Sequence, residues 1–444
     1  MAFVAALSVL SALPVFALPV SHYAQSSVLS SGKWAKIRVE KTGMQFLSNA
    51  QLKNLGFANP SKVNVYGYGG RMISEVLDSK QIDDLPLLPC VRTEKGIVFF
   101  GVNSVDWTAS SSSKMKYRHI NHAYEDASYY FLSDREVDVK DMEEYGRVEL
   151  TGSPVTTFVE RIAYEKDLSC PTYTGRLMAG EDFRTVTARS FPFRLPDNVG
   201  GDARIKIGYV ARTTGGNAVF KASVNGKKLG SDCSVPVATN NTYLISKAVY
   251  YTLDDAGDKF DIDINFSLSS GAVLFHSNLD FIEIEYDRSL RLKDGSLHFY
   301  LRSPAGSVIE VSGCSASTVI WDVTDAAAPV RVGFTLDGTT ARFGTKDGSY
   351  REYVAFEPSK VAEAPVSAGK VSNQDIHSLP VPDMLIITPN EYQSQAERVA
   401  ELHRRVDGMV VHVLTPEVLY NEFSCGTRDI SAFRKAMKMW FDRG

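Results

Sequence analysis

From Gly32 onward, apolar and polar residues alternate in short runs, the period of strands buried on one face. Trp34-Ala35-Lys36-Ile37-Arg38-Val39 is the first run, Thr42-Gly43 turns the chain, and a short helix from Asn49 to Leu55 is predicted to stop at Gly56. Val63 to Tyr66 runs as a strand into Gly67-Tyr68-Gly69-Gly70; Ile97 to Phe100 and Tyr129 to Leu132 continue the series. Residues 25–154 are therefore expected to form an N-terminal β domain. Residues 155–290 have the texture of a β-sandwich or jelly roll. Short alternating strands such as Arg204 to Tyr209 and Phe281 to Tyr286 are separated by turn clusters, and Asn225-Gly226 is a strong hairpin signal. Residues 291–357, with Val319 to Thr324 and Tyr353 to Phe356, are again β-rich, either a domain of their own or folded back on the first. Pro358, Pro365, Pro380 and Pro382 mark 358–382 as a linker.

The pattern changes after Pro382. Met384 to Ile387 is a continuous apolar run, as in a strand covered on both faces, and Thr388-Pro389-Asn390-Glu391 offers a helix start. Tyr392, Ala396, Val399, Ala400 and Val406 then recur at helical spacing up to Gly408. Met409 to Leu414 is a second apolar strand, and Ile430, Phe433, Met437, Trp440 and Phe441 are expected on one face of a last helix. Strand, helix, strand, helix is the opening of a parallel sheet, and two such strands leave most of that sheet to be supplied. The predicted fold class is mostly β, sandwich or jelly-roll-like, followed by the truncated start of an α/β domain over 383–444.

Composition narrows the compartment more than the chemistry. With 48 basic and 52 acidic residues among 444, neither sign dominates and nucleic acid is not called for. Residues 2–18 carry no charge and suit a signal-peptide core; Val15-Phe16-Ala17 and His22-Tyr23-Ala24 are two cleavage positions, and the segment is taken as 1–24. The mature protein is expected to be exported. Cys90, Cys170, Cys233, Cys314 and Cys425 show no metal spacing, and Cys170 with Cys233 is the one pair falling in a single expected domain.

Each candidate for chemistry has a plainer alternative. Cys425, in a Ser-Cys-Gly turn ahead of a helix, could be a nucleophile with His403 or His412 as its base. His403, however, lies among charged residues and His412 inside a strand. His119 and His122 could hold zinc, but they lack the i, i+4 spacing and adjacent Glu of a metalloprotease helix. Asp254, Asp255, Asp258, Asp261 and Asp263 could hold calcium; nothing beyond their number supports it, and Asp83-Asp84 is weaker still. No cofactor is expected. Gly67 to Gly70 lacks the Lys-Ser/Thr pair and helix of a phosphate loop and reads as a turn.

The segments NQDIHSLPVPDMLIIT, YQSQAERVAELH and LYNEFSCGTRDISAFRKAMKMWFDR resemble the start of the caspase-like catalytic domain in gingipain-type cysteine peptidases. The blocks SGKWAKIRVEKTGMQFL, VNVYGYGG and HINHAYEDASYYFL resemble the amino-terminal region of the branch that serves as surface sortase in type IX secretion. That pattern usually has serine where Cys425 stands, which speaks against a nucleophile there. The resemblance implies a cell-surface cysteine peptidase and sortase that removes the C-terminal secretion signal of cargo and passes the cargo to anionic lipopolysaccharide. Its catalytic His and Cys are expected downstream of Gly444, so no catalytic residue is assigned within the chain, and this part alone is expected to be inactive. Implied partners are cargo proteins with C-terminal secretion signals, PorV and other outer-membrane secretion components, at the surface of a Gram-negative bacterium. Two alternatives stay open: a non-enzymatic surface β-sandwich binding module, and a secreted gingipain-like protease that is itself cargo.

Overall fold

The Trp34–Val39 strand buries four of its six residues in near alternation and lies inside a five-stranded antiparallel sheet. The sheet order is Val366–Val371, Trp34–Val39, Ser128–Ser133, Asn64–Tyr66, Leu87–Leu88. Its inner face packs Ile37, Val39, Val65 and Tyr130 against Leu47, Ile97 and Phe99, which come from a second sheet built on Gly43–Ser48 and Gly96–Gly101. Helix Asn49–Asn54 starts where the chain makes a capping box, the Ser48 hydroxyl accepting from the Gln51 amide while the Gln51 side chain accepts from the Ser48 amide. The computed structural model describes residues 17–138, 142–145, 148–173, 175, 177–239 and 243–444. Most of the uncharged leader, residues 1–16, lies outside them.

One expectation needs correction here. Residues 358–382 are not all linker: Val366–Val371 pairs antiparallel with Trp34–Val39, Val371 opposite Trp34 and Val366 opposite Arg38. It is an edge strand with exposed side chains, so burial never imposed an apolar alternation that could be read. The residues just before the expected boundary at 24 are packed against the last helix. Val20–His22 forms a 3₁₀ turn, and Tyr23 is buried with its hydroxyl donating to Asp442 at 2.6 Å.

Residues 157–289 form two facing antiparallel sheets. One has the order Thr157–Glu165, Val273–Ser289, Ala203–Thr214, Ile245–Leu253; the other is built on Ala188–Arg194, Lys259–Leu268 and Ala218–Val224. Phe191, Tyr209, Phe220, Phe266, Ile282 and Ile284 fill the space between them. Asn225 and Gly226 both take positive φ, 47° and 78°, as a tight hairpin turn requires. Strands Ser296–Arg302, Val319–Asp322 and Tyr350–Phe356 belong to one further sheet. That sheet shares a core with the first part of the chain, Trp321, Val354 and Phe356 packing with Met44, Phe100 and Val102. Arg161 ties the sandwich to it: the guanidinium lies 3.6 Å from the Tyr300 ring centre and donates to Tyr350 at 3.0 Å.

Met384–Ile387 and Val411–Leu414 run parallel, Met384 opposite Val411, with helix Gln393–Val406 between them in sequence and helices Pro416–Phe423 and Ser431–Arg443 after them. The strands are only half-buried rather than covered on both faces. Of the apolar positions expected on the first helix only Ala400 is buried; Val399 and Val406 are exposed. On helix Ser431–Arg443 the buried side is Ala432, Ala436, Met439 and Trp440, whereas Ile430, Met437 and Phe441 face outward. A two-stranded sheet has too little surface to cover every apolar stripe its helices carry.

Candidate functional site

The α/β unit is seated on the N-terminal β domain through two loops that meet because their residues are small. Strand Asn64–Tyr66 leads into Gly67-Tyr68-Gly69-Gly70, and helix Pro416–Phe423 leads into Ser424-Cys425-Gly426-Thr427. A Cβ on Gly67 would stand 2.6 Å from the Cys425 sulfur, and one on Gly70 would stand 2.5 Å from the Thr427 hydroxyl. Cys425 is fully buried at φ 52°. Its thiol donates to the Tyr129 carbonyl at 3.1 Å and accepts from the Tyr68 amide at 3.4 Å. Burial pushes its pKa up to about 11. A neutral, doubly bonded thiol is a packing group, not a nucleophile.

Around this contact lies a ring of charged groups that also bridge the two parts. His377 is fully buried between Glu422, 2.6 Å from Nδ1, and Asp83, 3.2 Å from Nε2, and stacks on Phe423. Glu422 further accepts from the Ile376 amide and from Gln374 Nε2, both at 2.9 Å. Burial opposes charge on His377, but the two carboxylates outweigh it and lift the imidazole to about 9. Asp429 accepts from the Ile73 amide at 2.9 Å and pairs with His122 at 3.4 Å. Lys435 donates to the Ile82 carbonyl at 2.5 Å, and burial brings its pKa down to about 8.

The His377 shift carries a stability consequence. Its folded pKa stands above the unfolded value of 6.5, so its contribution is fully present below about pH 6.5 and is lost as pH rises through about 9. The size is on the order of 3 kcal/mol. Lys435 works in the opposite sense above about pH 8, its folded pKa being the lower one. The expected result is a denaturation midpoint that falls between pH 6.5 and 9 more steeply in the unaltered chain than in His377→Asn. Equal slopes would show that the imidazole is not charged in the seam.

The carboxyl ends of the two parallel strands open onto a cleft of about 890 Å³, the place where open α/β sheets carry their ligands. Lys36, Glu125, Glu391, Glu417, Tyr420 and Arg428 are among its lining residues, which include neither a cysteine nor a histidine. Lys36 donates to Asn421 at 3.3 Å and lies over the Tyr129 ring; burial lowers its pKa. The cleft can hold a polar chain of mixed charge, and its lining supplies no thiol for a cysteine-peptidase step.

The other sequence candidates are dispersed. His403 bonds Asp407 at 2.6 Å and His412 faces the Pro380 carbonyl at 2.8 Å, so each has its own partner. His119 is held between Glu283, at 2.6 Å, and Glu165; despite burial these carboxylates raise it to about 9. His122 pairs with Asp429 instead, so the two imidazoles do not converge as zinc ligands. Asp254, Asp255, Asp258 and Asp261 are exposed in and after a turn, and Asp263 is half-buried. Among the described residues no three His, Cys, Asp or Glu side chains group as metal ligands. Cys170 and Cys233 are not joined. Asp84 accepts from the Val28 amide at 2.6 Å. Glu422 and His377 escaped sequence reasoning because they are 45 residues apart and nothing in their spacing announces a pair.

Comparison with known proteins fits this geometry. Residues 377–444 match the model of peptidase family C25, a match that begins at the buried seam histidine. The structure is also similar to the crystal structure of dimeric latent PorU from Porphyromonas gingivalis, with a TM-score of 0.83 and 28% sequence identity over 95% of this chain. Together these matches support a gingipain- and PorU-like cysteine peptidase family. The chain spans 40% of the length of that PorU chain. The C-terminal CBM6 domain of LamC from Zobellia galactanivorans aligns with 28% of this chain and 98% of its own at 17% identity, with a TM-score of 0.18. No curated protein matches the chain.

Proposed function

We propose that this chain is the front part of an exported, cell-surface cysteine peptidase that acts as a sortase in type IX secretion. The observation that supports this best is the likeness to PorU across 95% of the chain. In this reading a thiolate outside these residues attacks the carbonyl before the cargo's C-terminal secretion signal. The signal leaves with the proton given by a histidine, and the acyl group passes to a hydroxyl or amine of anionic lipopolysaccharide or to water. The β domains hold the α/β unit and present the cleft at its strand ends to the cargo chain. Partners such as PorV would hold it at the surface; among the described residues no helix is long and apolar enough to cross a membrane.

The test is cleavage of a cargo protein bearing its secretion signal. The full-length gene product should release the signal, and Cys425→Ala should leave that rate within about twofold, because the buried thiol does no chemistry. Residues 18–444 alone should release none. Release by those residues that disappears in Cys425→Ala would restore Cys425 as the nucleophile and overturn the proposal.

A further inference from the structure

Residues 18–24 are built into the α/β unit rather than leading up to it. Leu18 packs with the cluster of Ile376, Leu419, Phe423 and Trp440. The His22 amide donates to the Pro19 carbonyl at 2.8 Å, closing the turn that presents Tyr23. Arg443 donates to the Ala24 carbonyl at 2.6 Å, and the Ala24 amide donates to Asp83 at 2.7 Å, next to His377. The last helix therefore reads this segment along its length.

One atom in this arrangement is left unserved. The Asp442 side chain is fully buried. Its Oδ2 accepts from the Tyr23 hydroxyl and from Lys438. Its Oδ1 is buried with no hydrogen bond among the described residues. The Leu18 amide already donates to this same carboxylate as an uncharged N–H and, with Lys438 and Tyr23, overcomes burial to hold its pKa low. A buried carboxylate oxygen without a donor is costly; an ammonium at the Leu18 nitrogen brings a positive charge and two more protons to this carboxylate than the amide does. Immediately before Leu18 comes an uncharged stretch ending in Val15-Phe16-Ala17, with small side chains one and three residues before the bond, the pattern a signal peptidase accepts.

We propose that the Ala17–Leu18 bond is the one cut on export, and that the α-ammonium group freed on Leu18 pairs with Asp442. Water adds across the amide: the hydroxyl goes to the Ala17 carbonyl, which leaves as a carboxylate on the leader, and the proton goes to the Leu18 nitrogen. The catalyst is a membrane signal peptidase. Cutting after Ala24, the other small-residue position, would remove Tyr23 and strip Asp442 of a second donor. The α-amino group, ordinarily titrating near 7.7–8.0, would be held charged by its buried partner. Cleavage thus turns a chain end into part of the seam.

This inference rests on the export proposed above. The experiment is N-terminal sequencing and intact mass of the full-length protein recovered from the cell surface, followed by acylation of its α-amino group near neutral pH. The expected first residue is Leu18, and Asp442→Asn should be acylated several-fold faster than the unaltered protein. A surface protein beginning at Gln25 or elsewhere, or equal acylation rates, would overturn this inference while leaving the peptidase reading intact. A protein found only inside the cell with residues 1–17 attached would overturn both.

Discussion

Glu422→Ala is expected to destabilise the α/β unit by about 3–5 kcal/mol, the range for removing one partner of a buried ion pair. Glu422 is fully buried and serves several donors at once: His377 Nδ1, the Ile376 amide and Gln374 Nε2. Alanine leaves the Ile376 amide without its acceptor, Gln374 with the Val418 carbonyl alone and His377 with Asp83 alone. The imidazole must then give up its proton or stay charged with half its compensation, and either outcome loosens the contact between 374–377 and helix Pro416–Phe423. Glu422→Gln keeps an acceptor oxygen and the shape, so its loss should be smaller, about 1–3 kcal/mol. It should also flatten the fall in stability between pH 6.5 and 9 that His377 contributes. Denaturant melts of the three proteins at pH 7 give the energies, and hydrogen exchange at the Ile376 and His377 amides locates them. An alanine variant within about 1 kcal/mol of the parent would mean that the carboxylate does not hold the seam.

The strands of the N-terminal domain and sandwich were legible because burial on one face writes a period of two into the residues. Trp34–Val39 and Lys259–Leu268 both alternate as their inward and outward positions demand. The α/β start was legible for the converse reason, since its apolar runs and helical spacing break that period. Val366–Val371 was hidden because an exposed edge strand leaves composition unconstrained. The exposed Val399, Val406, Met437 and Phe441 show the other limit: periodicity predicts that a stripe will be covered, not by what. The seam lay beyond reach because its partners are joined by burial rather than spacing. Gly67 to Gly70 reads as a turn in sequence, whereas in the structure no turn or bend falls at these four residues; their lack of side chains matters for what lands on them. The serine expected at position 425 by family resemblance is explained by the same geometry. A hydroxyl could also donate to the Tyr129 carbonyl and accept from the Tyr68 amide.

Gly67→Ala should open the β-domain side of the seam, lowering stability by about 2–6 kcal/mol. Two effects add. Gly67 sits at φ 130°, a conformation that L side chains rarely adopt, which costs about 1–3 kcal/mol. The new Cβ would also stand 2.6 Å from the Cys425 sulfur and 3.2 Å from the Tyr130 ring, an overpacking worth about 1–3 kcal/mol. These terms can be separated, because only the second depends on Cys425. Cys425→Ala alone removes a small buried thiol and its two weak hydrogen bonds, and should cost about 1–2 kcal/mol. In the double variant the methyl enters the space the sulfur has left, so the combined loss should fall short of the sum by at least about 1 kcal/mol. The backbone strain at Gly67 would remain. Strict additivity in such a cycle would show that the two loops do not touch. A large favourable coupling would establish that the glycine and the cysteine form one joint, through which the β domain positions the α/β unit and its cleft.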